Sequence, residues 1–176
     1  TTSFWDRWQI YFLRIDASGN AEWGRSFGGT RDEYGYSVQQ TQDGGYIVAG
    51  STASFGNAGK VYLIKTNAGG DTVWTRTYGG TGVESGFWVQ QTQDGGYVVT
   101  GESSSFGNNY QVYLVKTNDQ GETLWTRTYG GASSEQGRCV CQTSDGGYII
   151  GGHTTSFGNG YQVYLVKTNA FGDALW

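Results

Sequence analysis

The 176-residue chain is long enough to bury a core as one domain, and its 31 glycines, 16% aromatic residues and absence of long helix-forming runs favour an all-β protein. Its net charge of −4 is spread along the sequence without a cluster of Lys and Arg, which argues against a nucleic-acid or anionic-membrane surface. No apolar run approaches the roughly 20 residues of a membrane-spanning helix, so membrane insertion is not expected.

The sequence is a tandem repeat with a period of 51 residues. The best-defined part of each period is a strand, a polar turn and a second strand, as in 111–129, QVYLVKTNDQGETLWTRTY. The period is kept without insertion or deletion by Phe4, Phe55, Phe106 and Phe157, and by Trp23, Trp74, Trp125 and Trp176. A repeat this regular predicts architecture more strongly than function.

Each period is expected to form four short antiparallel strands. In the second complete unit these strands are predicted at 86–93, 96–103, 111–117 and 122–129. The dipeptide Asp94-Gly95 between the first two strands predicts a type I′ hairpin turn, which requires positive φ at both central residues. The same dipeptide recurs as Asp43-Gly44 and Asp145-Gly146.

Four antiparallel strands per unit of roughly 40–50 residues are typical of a β-propeller blade, and this is the fold that we expect. A solenoid is the main alternative, but its coils are usually about half this length. The short polar segment 38–41 suits an innermost strand beside a central channel. The fourth strand, with Trp74, Arg76 and Tyr78 alternating, suits a wide outer strand packed on one face.

The third-to-fourth-strand hairpin also resembles two known families. Asn118, Gly121 and Trp125 are spaced as in blades of quinoprotein-type propellers. The run from Thr117 to Thr123 resembles the Asp-box of sialidase-type propellers, although Trp125 lies one residue late and the other units have alanine at the Asp119 position. Both resemblances cover this hairpin alone and imply a fold rather than an activity.

The predicted single domain, 1–176, divides into a half blade with third and fourth strands at 1–34 and blades at 35–85, 86–136 and 137–176. About 3.5 blades are too few to close a ring, so open edges are expected to pair with another copy or with missing blades. The chain begins at Thr1 and contains no methionine, which favours a processed secreted protein, with an excised fragment as the alternative.

The N-terminal hairpin departs from the other units. Trp5-Asp6 stands where later units have a flexible Gly-Asn pair, and Arg7 and Trp8 follow it. Phe12 and Ile15 make the following strand more apolar than its equivalents. Clustered Trp and Arg are typical of interface hot spots, so the predicted assembly interface consists of Trp5, Arg7, Trp8, Phe12 and Ile15. The alternative is that the tryptophans only cap the end of the sheet.

The recurring charged residues are expected to be structural. Glycoside hydrolysis needs two carboxylates facing one sugar, whereas Glu33, Glu84 and Glu135 recur once per unit and would be spread around a ring. Ion pairing or turn capping is therefore predicted for them, for the lysines Lys65, Lys116 and Lys167, and for the arginines Arg76 and Arg127. Asn118, Asp119 and Glu122 are weak calcium candidates, since calcium prefers six or more oxygen ligands.

Cys139, Cys141 and His153 interrupt the repeat without forming a recognisable site. Folding the 145–146 hairpin places Cys139 opposite Gly152, with His153 on the other face, so a zinc site lacks ligands and a Cys–His pair lacks reach. The two cysteines, two apart on one strand, are too far apart for an easy disulfide. No catalytic residue, metal or cofactor is predicted.

The sequence therefore predicts a non-enzymatic, secreted repeat protein with a structural or adhesive role, assembling into a ring, a filament or a larger cell-surface array. Its partners would be further copies of itself or the missing blades of a longer chain. The alternative is a glycan-binding module that uses exposed aromatic residues such as Tyr110 and Tyr161. An enzyme related to sialidases or quinoproteins is the least supported hypothesis, since only the blade framework is shared.

Overall fold

A computed structural model describes residues 7–107 and 109–176, and this part of the chain consists of strands and turns without a helix. It therefore contains no helix of the length and apolar character needed to cross a membrane. The strands are β1 (Ile10–Ile15), β2 (Ala21–Phe27), β3 (Glu33–Gln40), β4 (Tyr46–Thr52), β5 (Lys60–Thr66), β6 (Thr72–Tyr78), β7 (Glu84–Gln91), β8 (Tyr97–Ser103), β9 (Gln111–Thr117), β10 (Thr123–Tyr129), β11 (Glu135–Gln142), β12 (Tyr148–Thr154) and β13 (Gln162–Thr168).

The strands form four antiparallel sheets in chain order. Sheet 1 is the β1–β2 hairpin, sheets 2 and 3 are the four-stranded β3–β6 and β7–β10, and sheet 4 is β11–β13. Leu175 and Trp176 form the start of a fourth strand in sheet 4. The N–H of Leu175 donates to the carbonyl of Lys167 at 2.8 Å, and the carbonyl of Trp176 accepts from the N–H of Lys167 at 2.9 Å. The repeated four-stranded antiparallel sheets confirm the prediction at that level. In sheet 3 the first strand, β7, begins two residues earlier than expected, at Glu84.

The Asp-Gly hairpins are not type I′ turns, so that prediction is wrong. Gly95 has φ of +82°, but none of the described residues other than glycine has positive φ. The N–H of Gly95 donates to the carbonyl of Thr92 at 2.9 Å, which makes a type I turn followed by a left-handed glycine. Asp94 keeps negative φ because its carboxylate accepts bonds from Thr92 Oγ1 at 2.6 Å and from Gly96 N–H at 3.1 Å.

A β-bulge in the first strand of each unit corrects a second prediction. In sheet 4 Gly137 pairs with Gly152 but Cys139 pairs with Gly151, so Arg138 is the extra residue. Cys139 therefore lies opposite Gly151, not Gly152, and shares a face with His153, because one inserted residue reverses the side-chain alternation. The same shift occurs at Tyr36 and at Phe87.

Successive sheets pack face to face. We call the side of a sheet that meets the next sheet its forward face, and the opposite side its rear face. In sheet 2 the forward face carries Val61 and Leu63, which pack with Val99 and Val115 from the rear face of sheet 3. Clusters of the same kind lie between sheets 1 and 2 and between sheets 3 and 4. The core is thus a series of layers, each made by two neighbouring units.

The outer strand of one sheet is fixed to the last turn of the next sheet. Gly121 leaves room for the ring of Trp74, against which a Cβ would lie 2.9 Å away, and its carbonyl accepts a 2.8 Å bond from Tyr78 Oη. Arg76 lies over the same Trp74 ring at 5.7 Å. This explains why Trp, Arg and Tyr alternate on the strand and why glycine recurs in the turn.

The first strands of successive sheets lie side by side and are joined by polar side chains. Oε1 of Gln39 accepts the backbone N–H of Gln91 at 2.6 Å, and Oε1 of Gln90 accepts that of Gln142 at 2.8 Å. These glutamines extend one sheet's hydrogen bonding to the backbone of the next. The polarity of this strand, noticed in the sequence, thus has a structural cause.

Candidate functional site

The three recurring glutamates are buried and saturated with hydrogen bonds. Glu84 accepts bonds from Ser103 Oγ at 2.9 Å, from Ser105 Oγ, and from Lys60 Nζ at 2.9 Å. Glu33 and Glu135 accept the same hydroxyl bonds but meet a glutamine where Glu84 meets the lysine. Their carboxylates hold the link between sheets together, in agreement with the predicted structural role.

The recurring lysines hold the hairpin turns. Lys65 Nζ lies 2.8 Å from Asp43 Oδ2 and donates to the carbonyl of Thr66 at 2.9 Å. This bond from Lys65, together with one from Thr41, lowers the pKa of Asp43 to about 2. Burial raises the pKa of Asp94, but the bonds from its lysine and threonine partners outweigh burial and lower it overall. Lys167 likewise lowers the pKa of Asp145.

The calcium candidates are engaged in their own turn. Asn118 Oδ1 accepts the backbone N–H groups of Gln120 at 3.0 Å and of Glu122 at 2.8 Å, and its Nδ2 donates to Glu122 Oε2 at 2.9 Å. Asp119 Oδ2 accepts from Gln120 Nε2 at 3.4 Å. Such Asx-turn bonding shapes the hairpin. Within residues 7–107 and 109–176, no cluster of three or more His, Cys, Asp or Glu side chains is arranged to hold a metal.

The residues that interrupt the repeat lie in the second half of β11 and at the end of β12. Cys139 and Cys141 are exposed free thiols. The ring of His153 meets that of Tyr161 edge to face at 5.1 Å. Burial, with the nearby charge of Arg138, lowers the pKa of His153. Tyr161 is exposed, whereas its equivalent Tyr110 is half-buried.

The predicted N-terminal interface is only partly at the open end of the stack. Trp5 lies outside the described residues. Arg7 and Trp8 are exposed, as is Ile15 on the rear face of sheet 1. Phe12 instead points forward, where its ring meets those of Trp23 at 5.0 Å and Tyr46 at 5.2 Å. Phe12 is therefore partly buried against the core between sheets 1 and 2, because odd and even residues of a strand face opposite sides.

Sequence reasoning missed the apolar faces that end the stack. The rear face of sheet 1 exposes 66% of Tyr11 and 44% of Leu13, and the forward face of sheet 4 exposes 82% of Val163 and 50% of Leu165. Their equivalents inside the stack are 0–4% exposed: Tyr62, Ile64, Val61, Leu63, Val112 and Leu114. The 51-residue period makes this equivalence readable from the sequence.

A second surface collects the positions at which the units differ. The bulge residues Tyr36, Phe87 and Arg138 form a row across the first strands, with Tyr36 and Phe87 edge to face at 5.2 Å and Arg138 over Phe87 at 4.5 Å. Tyr34 stacks beside Tyr36 at 6.4 Å with 14° between the rings. Bulges commonly redirect side chains in this way next to functional sites.

Between sheets 3 and 4 this surface is filled by a polar network. Gln136 Nε2 donates to Glu102 Oε2, and Arg138 donates to Gln136 Oε1 at 2.5 Å. Burial raises the pKa of Glu102, against the opposing effects of Gln136 and Arg138. At the corresponding place between sheets 2 and 3, smaller side chains leave a cavity of about 300 Å³.

Comparison with known proteins gives no functional assignment. No family model and no curated protein matches the chain. Among solved structures it is similar to a protein of unknown function from Bacteroides caccae, whose crystal structure was determined at 1.35 Å resolution. That match has a TM-score of 0.38 and 14% identity, and it covers 96% of this chain and 76% of the other.

Proposed function

We propose that the protein is a non-enzymatic, extracellular structural or adhesive module that assembles end to end through its terminal sheets. One observation carries this proposal: the two ends of the stack expose the two complementary halves of the interface that joins its internal sheets. Tyr11 and Leu13 at one end correspond to side chains that are buried on the rear face of sheet 2. Val163 and Leu165 at the other end correspond to buried side chains on the forward face.

The match between the two ends favours head-to-tail contact. Inside the stack, Tyr62 and Ile64 pack on Ile10 and Phe12 of the preceding sheet. In the assembly, Tyr11 and Leu13 of one copy would pack on Val163 and Leu165 of another in the same manner. A contact between two different surfaces repeats from copy to copy, and so closes into a ring or continues as a filament.

The expected strength is moderate. Burying a large apolar side chain contributes about 1.5–3 kcal/mol, so these four give roughly 6–12 kcal/mol, against an association cost of about 4–15 kcal/mol. Assembly should therefore depend on protein concentration. Because the attraction is apolar, it should change little with moderate salt, unlike association through exposed ion pairs.

The propeller is the finer architecture that we propose. The four-stranded units, the 51-residue period and the close approach of the first strands favour sheets arranged as blades around an axis. Two or more chains would then contribute blades to one ring, or the blades would continue along a filament.

The test uses one variant blocked at each end. Leu13→Lys places a charge on the rear face of sheet 1, and Leu165→Lys places one on the forward face of sheet 4. By sedimentation velocity and light scattering, the wild type should gain mass with concentration, whereas each variant alone should remain a monomer. An equimolar mixture of the two variants should form a dimer, because each retains one intact end. Electron microscopy of the wild type should show rings or filaments.

Val73→Glu is the matched control, since Val73 is exposed on an outer strand and the first unit carries Glu22 at that repeat position. It should assemble like the wild type. A wild type that stays a compact monomer at all concentrations would refute the proposal. So would variants that assemble normally, or a mixture that contains only monomers.

A further inference from the structure

The cavity between sheets 2 and 3 lies on the surface where the units differ. Its volume is about 300 Å³, and its walls include Asp32, Tyr34, Tyr36, Ser51, Gly59 and Ser85. The two tyrosines are 42% and 49% exposed, which leaves their rings accessible from the opening. This volume is at the lower end of ligand-binding pockets, which suits one small ring rather than an extended chain.

Specific departures from the repeat create the cavity. Where sheet 2 has Ser51 and Gly59, sheet 3 has Glu102 and Tyr110, and where sheet 3 has Ser85, sheet 4 has Gln136. The larger residues fill the equivalent place between sheets 3 and 4 with side chains and their hydrogen bonds. The opening is therefore not a consequence of the fold, which is the same at both interfaces.

The cavity is lined both by residues whose type recurs in every unit, among them Thr52 and Glu84, and by residues that differ between units. The buried glutamate and its hydroxyl partner recur in every unit, as Glu33 with Thr52 and Glu84 with Ser103. Their neighbours Asp32 and Tyr34 are replaced by Val83 and Ser85 one unit later. The contact between sheets thus needs the glutamates and their hydroxyl partners, whereas the residues that differ between units are available for ligand recognition.

We propose that this cavity binds one pyranose ring of a neutral sugar. Tyr34 and Tyr36 supply an aromatic surface for the apolar C–H face of the ring. Asp32 supplies a carboxylate acceptor, and Ser51 and Ser85 supply hydroxyls that donate or accept bonds with the sugar hydroxyl groups. Among the described residues that line the cavity there is no lysine or arginine, so an anionic ligand is disfavoured.

The proposed sugar site lies at a different position from the glycan contacts that the sequence predicted. The sequence pointed to Tyr110 and Tyr161, but Tyr110 occupies the repeat position whose glycine opens the cavity one unit earlier. None of the four side chains proposed for the end-to-end contact lines this cavity. Sugar binding and end-to-end assembly can therefore fail independently.

Binding is tested by NMR on the ¹⁵N-labelled Leu165→Lys chain, with the wild-type chain as comparison. The probes are the methyl glycosides of glucose, galactose, mannose and N-acetylglucosamine, with choline and inorganic phosphate as a cationic and an anionic comparator. At least one glycoside should shift amide signals at 34–36, 51–53 and 84–85 in both samples. Tyr36→Ala should weaken that binding about tenfold, since it removes one stacked ring.

Gly59→Tyr is the sharpest variant, because it installs the residue that the next two units carry. Gly59 does not have positive φ, and a Cβ there would lie 3.1 Å from Val83 Cγ1, so a small adjustment accommodates it. Binding should be lost in Gly59→Tyr and unchanged in Tyr161→Ala. If Gly59→Tyr does not fold, Tyr36→Ala still tests the proposal, because Tyr36 is half-exposed.

Three outcomes would overturn the proposal. The first is that no glycoside shifts the cavity signals. The second is that choline or phosphate binds there in preference to every sugar, which would make the rings a cation cage or the site an anion site. The third is that sugar binding survives both Tyr36→Ala and Gly59→Tyr, which would place it elsewhere on the chain.

Discussion

Replacing Glu84 by alanine is expected to destabilise the protein far more than replacing its partner Lys60 by glutamine. The Glu84 side chain is fully buried and that of Lys60 is 12% exposed. Glu84→Ala leaves the ammonium group without a counterion and removes the acceptor of two serine hydroxyls. Lys60→Gln instead reproduces the arrangement in which Gln111 donates to Glu135 at 3.3 Å.

The magnitudes follow from this difference. Removing one member of a buried ion pair costs about 3–5 kcal/mol, because the other charge stays buried and unpaired. Exchanging the lysine for a neutral donor weakens one hydrogen bond and costs about 1 kcal/mol. The assay is equilibrium unfolding in urea followed by tryptophan fluorescence, at a concentration where the chain is monomeric. With a slope of about 2–3 kcal/mol per M, Glu84→Ala should lower the midpoint by roughly 1–2 M.

A double variant, Lys60→Gln with Glu84→Gln, separates the pair from its surroundings. It should be more stable than Glu84→Ala, since it contains no unpaired charge. The reasoning would be refuted if Glu84→Ala were as stable as Lys60→Gln. In that case glutamine would fail to replace the lysine as it does in two other units.

Two further outcomes follow from the turns and the sheet contacts. Lys65 lowers the pKa of Asp43 to about 2, so the contribution of Asp43 to stability is present above the unfolded pKa of about 3.9 and is lost as pH falls through 2. The melting temperature should therefore fall less between about pH 5 and pH 2 in Asp43→Asn than in the wild type. Identical pH profiles of the two proteins would contradict this. Gly101→Ala should lower the free energy of unfolding by more than about 2 kcal/mol, since a Cβ would overlap the backbone carbonyl of Ser85. At Gly69 a Cβ meets only ordinary contacts, so Gly69→Ala should be near neutral in the same urea assay.

The sequence contained enough information for the strands and their grouping. The segment 111–117 was predicted with the bounds that the structure has, and the other strands of that unit within two residues. This succeeded because the period of 51 residues aligns four versions of each strand, so polar turns and apolar strands are seen repeatedly. The structural roles of Glu33, Glu84 and Glu135 followed from the same periodicity.

Two local predictions failed at places where the sequence pattern is compatible with more than one backbone conformation. The Asp-Gly dipeptide fits both a type I′ turn and a type I turn with a following glycine, and the choice is made by the threonine and lysine that bind the aspartate. The bulge at Arg138 has no distinct sequence pattern, because its effect is to add one residue without changing the composition of the strand. The facing of Cys139 and His153 was therefore predicted wrongly.

The sequence by itself determined the period, the all-β character and the repeated antiparallel sheets, since these depend on local alternation and turn residues. Only the tertiary structure decided that Phe12 is core while Tyr11 is exposed, and that Ser51, Gly59 and Ser85 leave a cavity with the two tyrosines at its edge. The physical reason is that exposure and open volume are set by residues one or two units away in the neighbouring sheet. A single strand carries no record of which of its faces that sheet will cover.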